Sequence, residues 1–182
     1  MQGARAGRVI PEESECRRRL NDVKRTRQAD IVADIVRSVR ADRFGRHTCF
    51  VYGEPGTGKS TIGMIVAAEL DASFCDEFDP TRPGDKLSMI ISEARPSKER
   101  PLVILLDEVD LVIRGALEKT IPRHANVGTT VTDKRSWNKF LDKMMHRHRV
   151  VLVMTSNSTK ASIDNMDDSM LRRGRIHADY AC

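Results

Sequence analysis

The sequence predicts a three-layer α/β domain with a mainly parallel sheet, and three stretches carry that prediction. Leu102–Leu106 (LVILL) and Val150–Thr155 (VVLVMT) are continuous rather than alternating apolar runs, the pattern of central parallel strands covered on both faces. His47–Tyr52 (HTCFVY) reads as the first strand. It is ended by Gly53 and leads through a glycine-rich loop into a segment with Ile62, Ile65, Val66 and Leu70 at helical spacing.

The remaining elements follow in order. After the basic cluster Arg17–Arg27, residues Ile31, Val32, Ile35, Val36 and Val39 are spaced for one face of a helix that packs on the core, with Arg37 and Arg40 turned outward. A short strand is expected near Ala72–Cys75, then a loop rich in Pro and Asp, then a helix bearing Leu87, Met89, Ile90 and Ile91. Arg114–Asp133 has no clear period and reads as a long loop. Trp137, Phe140, Leu141 and Met144 mark a helix in which Trp137 anchors to the core.

At 182 residues the chain suits one domain, read as a basic N-terminal helical extension (1–46) and a core domain (47–182). Residues 1–46 hold 12 Lys/Arg against 7 Asp/Glu, whereas the rest holds 19 of each, so the whole net charge of +5 sits in the extension. That surplus could contact nucleic acid or an acidic partner, but a solvated basic helix is the more ordinary reading. No apolar run approaches the roughly 18 to 20 residues of a membrane span. The opening MQGARAGRVIPEE lacks the core of a secretory signal, and Glu12, Glu13 and Glu15 disfavour a transit peptide, so a cytoplasmic or nuclear location is expected. Cys16, Cys49, Cys75 and Cys182 form no CxxC pair and read as reduced thiols. His146 and His148 have no Cys or acid at ligand spacing and read as surface residues.

The chemistry concentrates in four places. Gly53-Glu54-Pro55-Gly56-Thr57-Gly58-Lys59-Ser60 fits GxxxxGK[ST] between a strand and a helix, the context a phosphate-binding P-loop requires. Its glycines let successive N–H groups turn toward phosphate oxygens, the helix N-terminus adds partial positive charge, Lys59 reaches the outer phosphates, and Ser60 ligates magnesium. Asp107 and Glu108 follow LVILL, so both carboxylates emerge at the carboxyl edge of the sheet, where ligands bind. Asp107 would hold the metal and Glu108 would orient and deprotonate a water. Without the P-loop the pair would read equally as solvated or capping acids. Asn157 closes the next strand, placed either to bond a phosphate and the water or to form a turn. Beyond it, Asp168–Arg175 (DSMLRRGR) carries guanidinium groups suited to charge developing on a phosphoryl group.

In this order, GEPGTGKST, LLDEVD, MTSN and DDSMLRRGR resemble the AAA family of ATPases over about residues 47–178. The resemblance implies a P-loop NTPase sheet of five strands in the order 5-1-4-3-2. It matches Walker A to Gly53–Thr61, Walker B to Leu102–Asp107 with Glu108 the catalytic acid, and sensor 1 to Asn157. It assigns two arginine fingers to Arg172 and Arg175. It further implies ATP and Mg2+ as cofactors, a homo-oligomeric ring, a hexamer in the family, and remodelling of a protein or complex. ATP rather than GTP also follows from the lack of an NKxD-like sequence after Thr155. Three departures stand out. Arg173 replaces the proline between the fingers, Phe78 is followed by Asp79-Pro80 where threading members carry a pore motif, and the sequence ends seven residues after Arg175, short of the family's helical lid, as expected either of a fragment or of an unusually minimal member. Two alternatives are a nucleic-acid-directed ATPase, motivated by the basic extension, and a non-hydrolysing nucleotide switch, motivated by the missing lid.

Overall fold

The structure is a computed structural model that describes residues 27–182. Cys16 and the basic cluster up to Thr26 lie outside the described residues. Five strands, β1 (His47–Tyr52), β2 (Ser73–Cys75), β3 (Leu102–Leu106), β4 (Val150–Ser156) and β5 (Ala178–Ala181), form one all-parallel sheet in the order β2-β3-β4-β1-β5. This is the 5-1-4-3-2 order, counted from the opposite edge. The apolar runs behave as their composition demands: every residue of β3 and β4 is buried, because helices cover both faces.

The two faces divide by residue parity. Cys49, Val51, Val103, Leu105, Val151 and Val153 point into a layer made by α1 (Arg27–Ala41) and α2 (Lys59–Glu69). Phe50, Ile104, Leu106, Leu152 and Met154 point into the opposite layer, which contains α3 (Leu87–Ala94), α4 (Val109–Glu118), α5 (Lys134–Met144) and α6 (Lys160–Asp167). The apolar stripe of α1, Ile31 to Val39, is buried in the first layer, so this helix shares the core of the sheet. The fully buried Trp137 packs against Phe140 in the second.

Two elements differ from expectation. The stretch Arg114–Asp133 is not all loop: α4 continues to Glu118, because Val109, Ile113 and Ala116 keep helical spacing and bury one face. The α3 stripe is also less buried than its composition implies, since Leu87 is its only fully buried residue and Met89 is 55% exposed.

The edge strand β5 is clamped to β1 by backbone and by a histidine pair. His177 N–H donates to the Thr48 carbonyl at 2.7 Å, and Thr48 N–H donates to His177 Nδ1 at 2.9 Å. The His177 ring stacks on buried His47 with centroids 5.2 Å apart. Burial and the neighbouring His177 hold His47 down to about 4, partly opposed by Asp34 and Asp42.

Candidate functional site

The carboxyl ends of β1, β3 and β4 open into a cavity of about 340 Å3 lined by Pro55, Gly56, Gly58–Thr61, Asp107, Glu108 and Thr155–Asn157. Gly56 and Gly58 have φ of +82° and +79°, which the turn needs so that the chain can enter α2 directly at Lys59. The first turn of α2 therefore presents its free N–H groups to the cavity. The Lys59 side chain lies along the loop and donates to the Gly53 and Glu54 carbonyls at 3.0 and 2.8 Å. The loop is braced from behind: Gln28 of α1 and the Cys182 thiol both donate to the Thr57 carbonyl. A Cβ on Gly53 would stand 2.3 Å from the Cys182 carbonyl oxygen, so β1 and β5 leave room there for glycine alone.

Asp107 is gripped at both oxygens. Ser60 Oγ donates to Oδ2 at 2.7 Å and Thr155 Oγ1 donates to Oδ1. Thr155 belongs to no motif of the P-loop or of the Asp107-Glu108 pair. Its signal is a hydroxyl ending an apolar strand whose register, Leu106 opposite Met154, sets it beside Asp107. The same Thr155 oxygen accepts from the Glu108 N–H at 3.3 Å, and Glu108 takes φ +51°, a left-handed conformation that turns the chain from β3 into α4 and leaves its carboxylate exposed. Glu108 also lines a second cavity of about 490 Å3, bounded by Asp76–Arg82 and Leu111.

Asp110, the other acid that the sequence offers as a base, has a different place. Only 8% exposed, it accepts from Ser156 Oγ at 2.9 Å and Ser158 Oγ at 3.4 Å. Ser158 N–H in turn donates to Ser156 Oγ at 2.8 Å, so the bend that holds Asn157 at the cavity wall is fastened on both sides to α4. The structure thus brings Gly56, Gly58, Lys59, Ser60, Thr61, Asp107, Glu108 and Asn157 together at one cavity.

The arginines stand apart. None of Arg172, Arg173 and Arg175 lines this cavity. Arg172 and Arg173 are exposed, whereas Arg175 is buried, donating through Nε and Nη2 to the Asp142 carboxylate at 2.7 and 3.3 Å and through Nη1 to the Ser169 carbonyl. That hydrogen-bonded guanidinium holds the Asp142 carboxyl below its ordinary range.

The donor set fits a magnesium nucleotide: a glycine cradle at a helix N-terminus, a lysine resting on that cradle, and a hydroxyl and carboxylate already in contact. Comparison with known proteins agrees. The model of the "ATPase family associated with various cellular activities (AAA)" matches residues 49–181. The chain is 30% identical over 159 residues to the ATP-dependent zinc metalloprotease FtsH 2 of Sphaerobacter thermophilus, covering 80% of this chain and 23% of that protein. It is 29% identical over 131 residues to the proteasome-activating nucleotidase of Methanothermobacter thermautotrophicus, covering 69% and 30%. It therefore spans less than a third of the length of these curated relatives. Among solved structures, a chain of the E. coli MS115-1 HORMA:CdnC:Trip13 complex superposes with a TM-score of 0.57 at 16% identity, over 96% of this chain and 68% of that one, a likeness of fold. With its order of strands, its phosphate cradle and a family match over most of its length, the chain belongs to the AAA family of ATPases.

Proposed function

We propose that this protein binds ATP with Mg2+ and hydrolyses it within a homo-oligomeric ring, driving the remodelling of a protein or complex. The observation that carries the reading is the 2.7 Å contact between Ser60 Oγ and Asp107, made on the floor of a cavity whose wall holds Lys59 and Glu108. The ATPase unit is residues 47–182 together with α1, whose stripe shares its core. Lys59 exchanges the Gly53 and Glu54 carbonyls for the outer phosphates, replacing two neutral acceptors by charged ones. Ser60 and Asp107 hold the metal, with Thr155 fixing the orientation of the carboxylate. Magnesium, when bound, neutralises phosphate charge and orients the nucleotide. Glu108 takes the proton of the attacking water, and its exposed carboxylate at the mouth of two cavities leaves room for that water. Asn157 orients the phosphate and the water. The arginine segment 172–175 does not line its own cavity, and in the ring it serves the nucleotide of the neighbouring subunit.

The test is magnesium-dependent ATP turnover. Lys59→Ala is expected to lose nucleotide binding; ATP bound by this variant as tightly as by wild type would remove the P-loop from the reading. A wild-type chain that binds ATP in an assembled ring without turning it over would instead favour a nucleotide switch.

A nucleic-acid-directed ATPase is the second reading, favoured by a basic cluster at the opposite end of the sheet. There Arg43 and Arg46 lie over the Phe44 ring, Phe44 stacks on exposed His148 at 4.5 Å, and the residue before His148 is the exposed Arg147. Oligonucleotide binding that falls steeply with salt and is lost in Arg43→Glu/Arg147→Glu would select it; no binding at low salt would dismiss it.

A further inference from the structure

Three arginines stand in the segment that the ring reading assigns to the neighbouring site, and their surroundings differ sharply. Arg175 is 7% exposed and each of its three guanidinium nitrogens donates a bond: two parallel bonds to Asp142 of α5 and a third to the Ser169 carbonyl. Leaving this place would strip the buried fork of three acceptors at once. Arg172 and Arg173 are exposed.

Arg175 is the last of a series of fastenings along one face of α5. Lys134 pairs with Asp167, Trp137 Nε1 donates to the Met170 carbonyl at 3.0 Å, Asn138 Nδ2 donates to Ser169 Oγ at 3.4 Å, and Asp142 takes Arg175. Positions 134, 138 and 142 are four apart and 137 is three from 134, so one helix face holds the segment 167–175. Met170, Leu171 and Ile176 anchor it in the core on either side of the turn. Beyond Leu171, residues 172–174 are exposed before Arg175 returns to the interior. The turn is closed by Arg175 N–H, which donates to the Arg172 carbonyl at 3.0 Å, and Gly174 supplies the φ of +92° it needs. Fixing Arg175 therefore fixes Arg172 directly, while Arg173 lies at the tip.

We infer that Arg172 alone reaches the neighbouring subunit's nucleotide, and that Arg175 is a positioning residue, latched to Asp142, which holds the turn presenting Arg172. The inference rests on the ring-ATPase reading and divides labour between two arginines to which the family resemblance gives the same role.

Asp142→Asn separates the possibilities because it keeps size and touches no nucleotide. If Arg175 positions Arg172, weakening the latch lowers kcat roughly 10- to 100-fold, as a displaced reactive group does, with KM little changed. If Arg175 is itself a finger, Asp142→Asn frees it, and turnover that is unchanged or raised overturns the inference. The full chain with Arg172→Ala is expected to lose roughly 10³-fold or more in kcat at unchanged Tm. Arg175→Ala is expected to lose turnover and Tm together, and the charge-exchanged Asp142→Arg/Arg175→Asp protein to regain part of both. Should Arg175→Ala fail to fold, the exchanged pair and Asp142→Asn still decide. Regained Tm without regained turnover would make Arg175 a contact to the nucleotide, and a loss confined to Arg173→Ala would move the finger; either result overturns the assignment. A wild-type ring that does not hydrolyse ATP while still binding it sinks the ATPase reading itself, a different failure from any of these.

Discussion

Replacing Asp110 by alanine tests whether the Asn157 bend is held from α4. The carboxylate accepts a good bond from Ser156 Oγ at 2.9 Å and a long one from Ser158 Oγ at 3.4 Å. Bonds to a charged acceptor are worth roughly 1.5 to 3 kcal/mol each at good geometry, and the 3.4 Å contact contributes little. Ser156 Oγ has the Ser158 carbonyl within 3.0 Å as an alternative acceptor, so it is not orphaned. The net cost is then about 2 kcal/mol, or roughly 4 to 8 °C in Tm for a chain of this size. With the bend released, Asn157 loses its fixed place at the cavity, and kcat is expected to fall roughly 10- to 100-fold. Nucleotide affinity should change little, because the P-loop is untouched. Asp110→Asn retains an acceptor oxygen and should recover most of both losses. The assays are thermal melting, ATP turnover and nucleotide titration on the same preparations. A melting loss of the expected size at wild-type kcat would refute the link between Asp110 and Asn157. Loss of nucleotide binding comparable to Lys59→Ala would show that Asp110 supports the cradle instead.

Three further outcomes follow from the same geometry. Thr155→Val keeps shape at a buried position but removes the bond to Asp107 and the acceptor for Glu108 N–H, so the magnesium concentration for half-maximal turnover should rise severalfold; an unchanged magnesium titration would exclude Thr155 as an orienting group. Gly53→Ala places a Cβ 2.3 Å from the Cys182 carbonyl, and since backbone must move, a loss of roughly 1 to 3 kcal/mol is expected in chemical denaturation; wild-type stability would mean that β5 does not close on the loop in solution. His47 is held to about 4 against an ordinary 6.5, so the fold favours its neutral form: the stabilisation is complete above pH 6.5 and is lost as pH falls toward 4. The loss amounts to at most about 3 kcal/mol, and a His47→Gln variant whose stability falls as steeply over that range would contradict it.

What could be read in the sequence was the chemistry that is local in the chain. Gly53–Ser60 carries its spacing, its strand and its helix within one short stretch, and β3 and β4 declare themselves by unbroken apolar runs. Trp137, Phe140, Leu141 and Met144 gave away the buried face of α5 for the same reason. What depends on distant partners was not legible. Thr155 gains its place only through the register of β4 against β3, and Arg175 is buried because an acid 33 residues earlier, on α5, meets it. The edge strand Ala178–Ala181 is short, half-exposed and contains Asp179, so its composition carries no strand signal; pairing with β1 makes it one. The end of α4 lay hidden because Arg114, Gly115, Lys119 and Thr120 obscure a period that only burial of Ile113 and Ala116 reveals.

The most direct test of the proposed mechanism is a paired measurement of ATP binding and ATP turnover in Glu108→Gln with saturating magnesium. The substitution preserves size and hydrogen bonding while removing the base, so the variant should bind ATP at wild-type affinity and hold it unhydrolysed, with kcat reduced by roughly 10² to 10⁴. Turnover at the wild-type rate, with ATP bound equally well, would contradict the account and take the reaction away from the carboxylate that β3 delivers to the cavity.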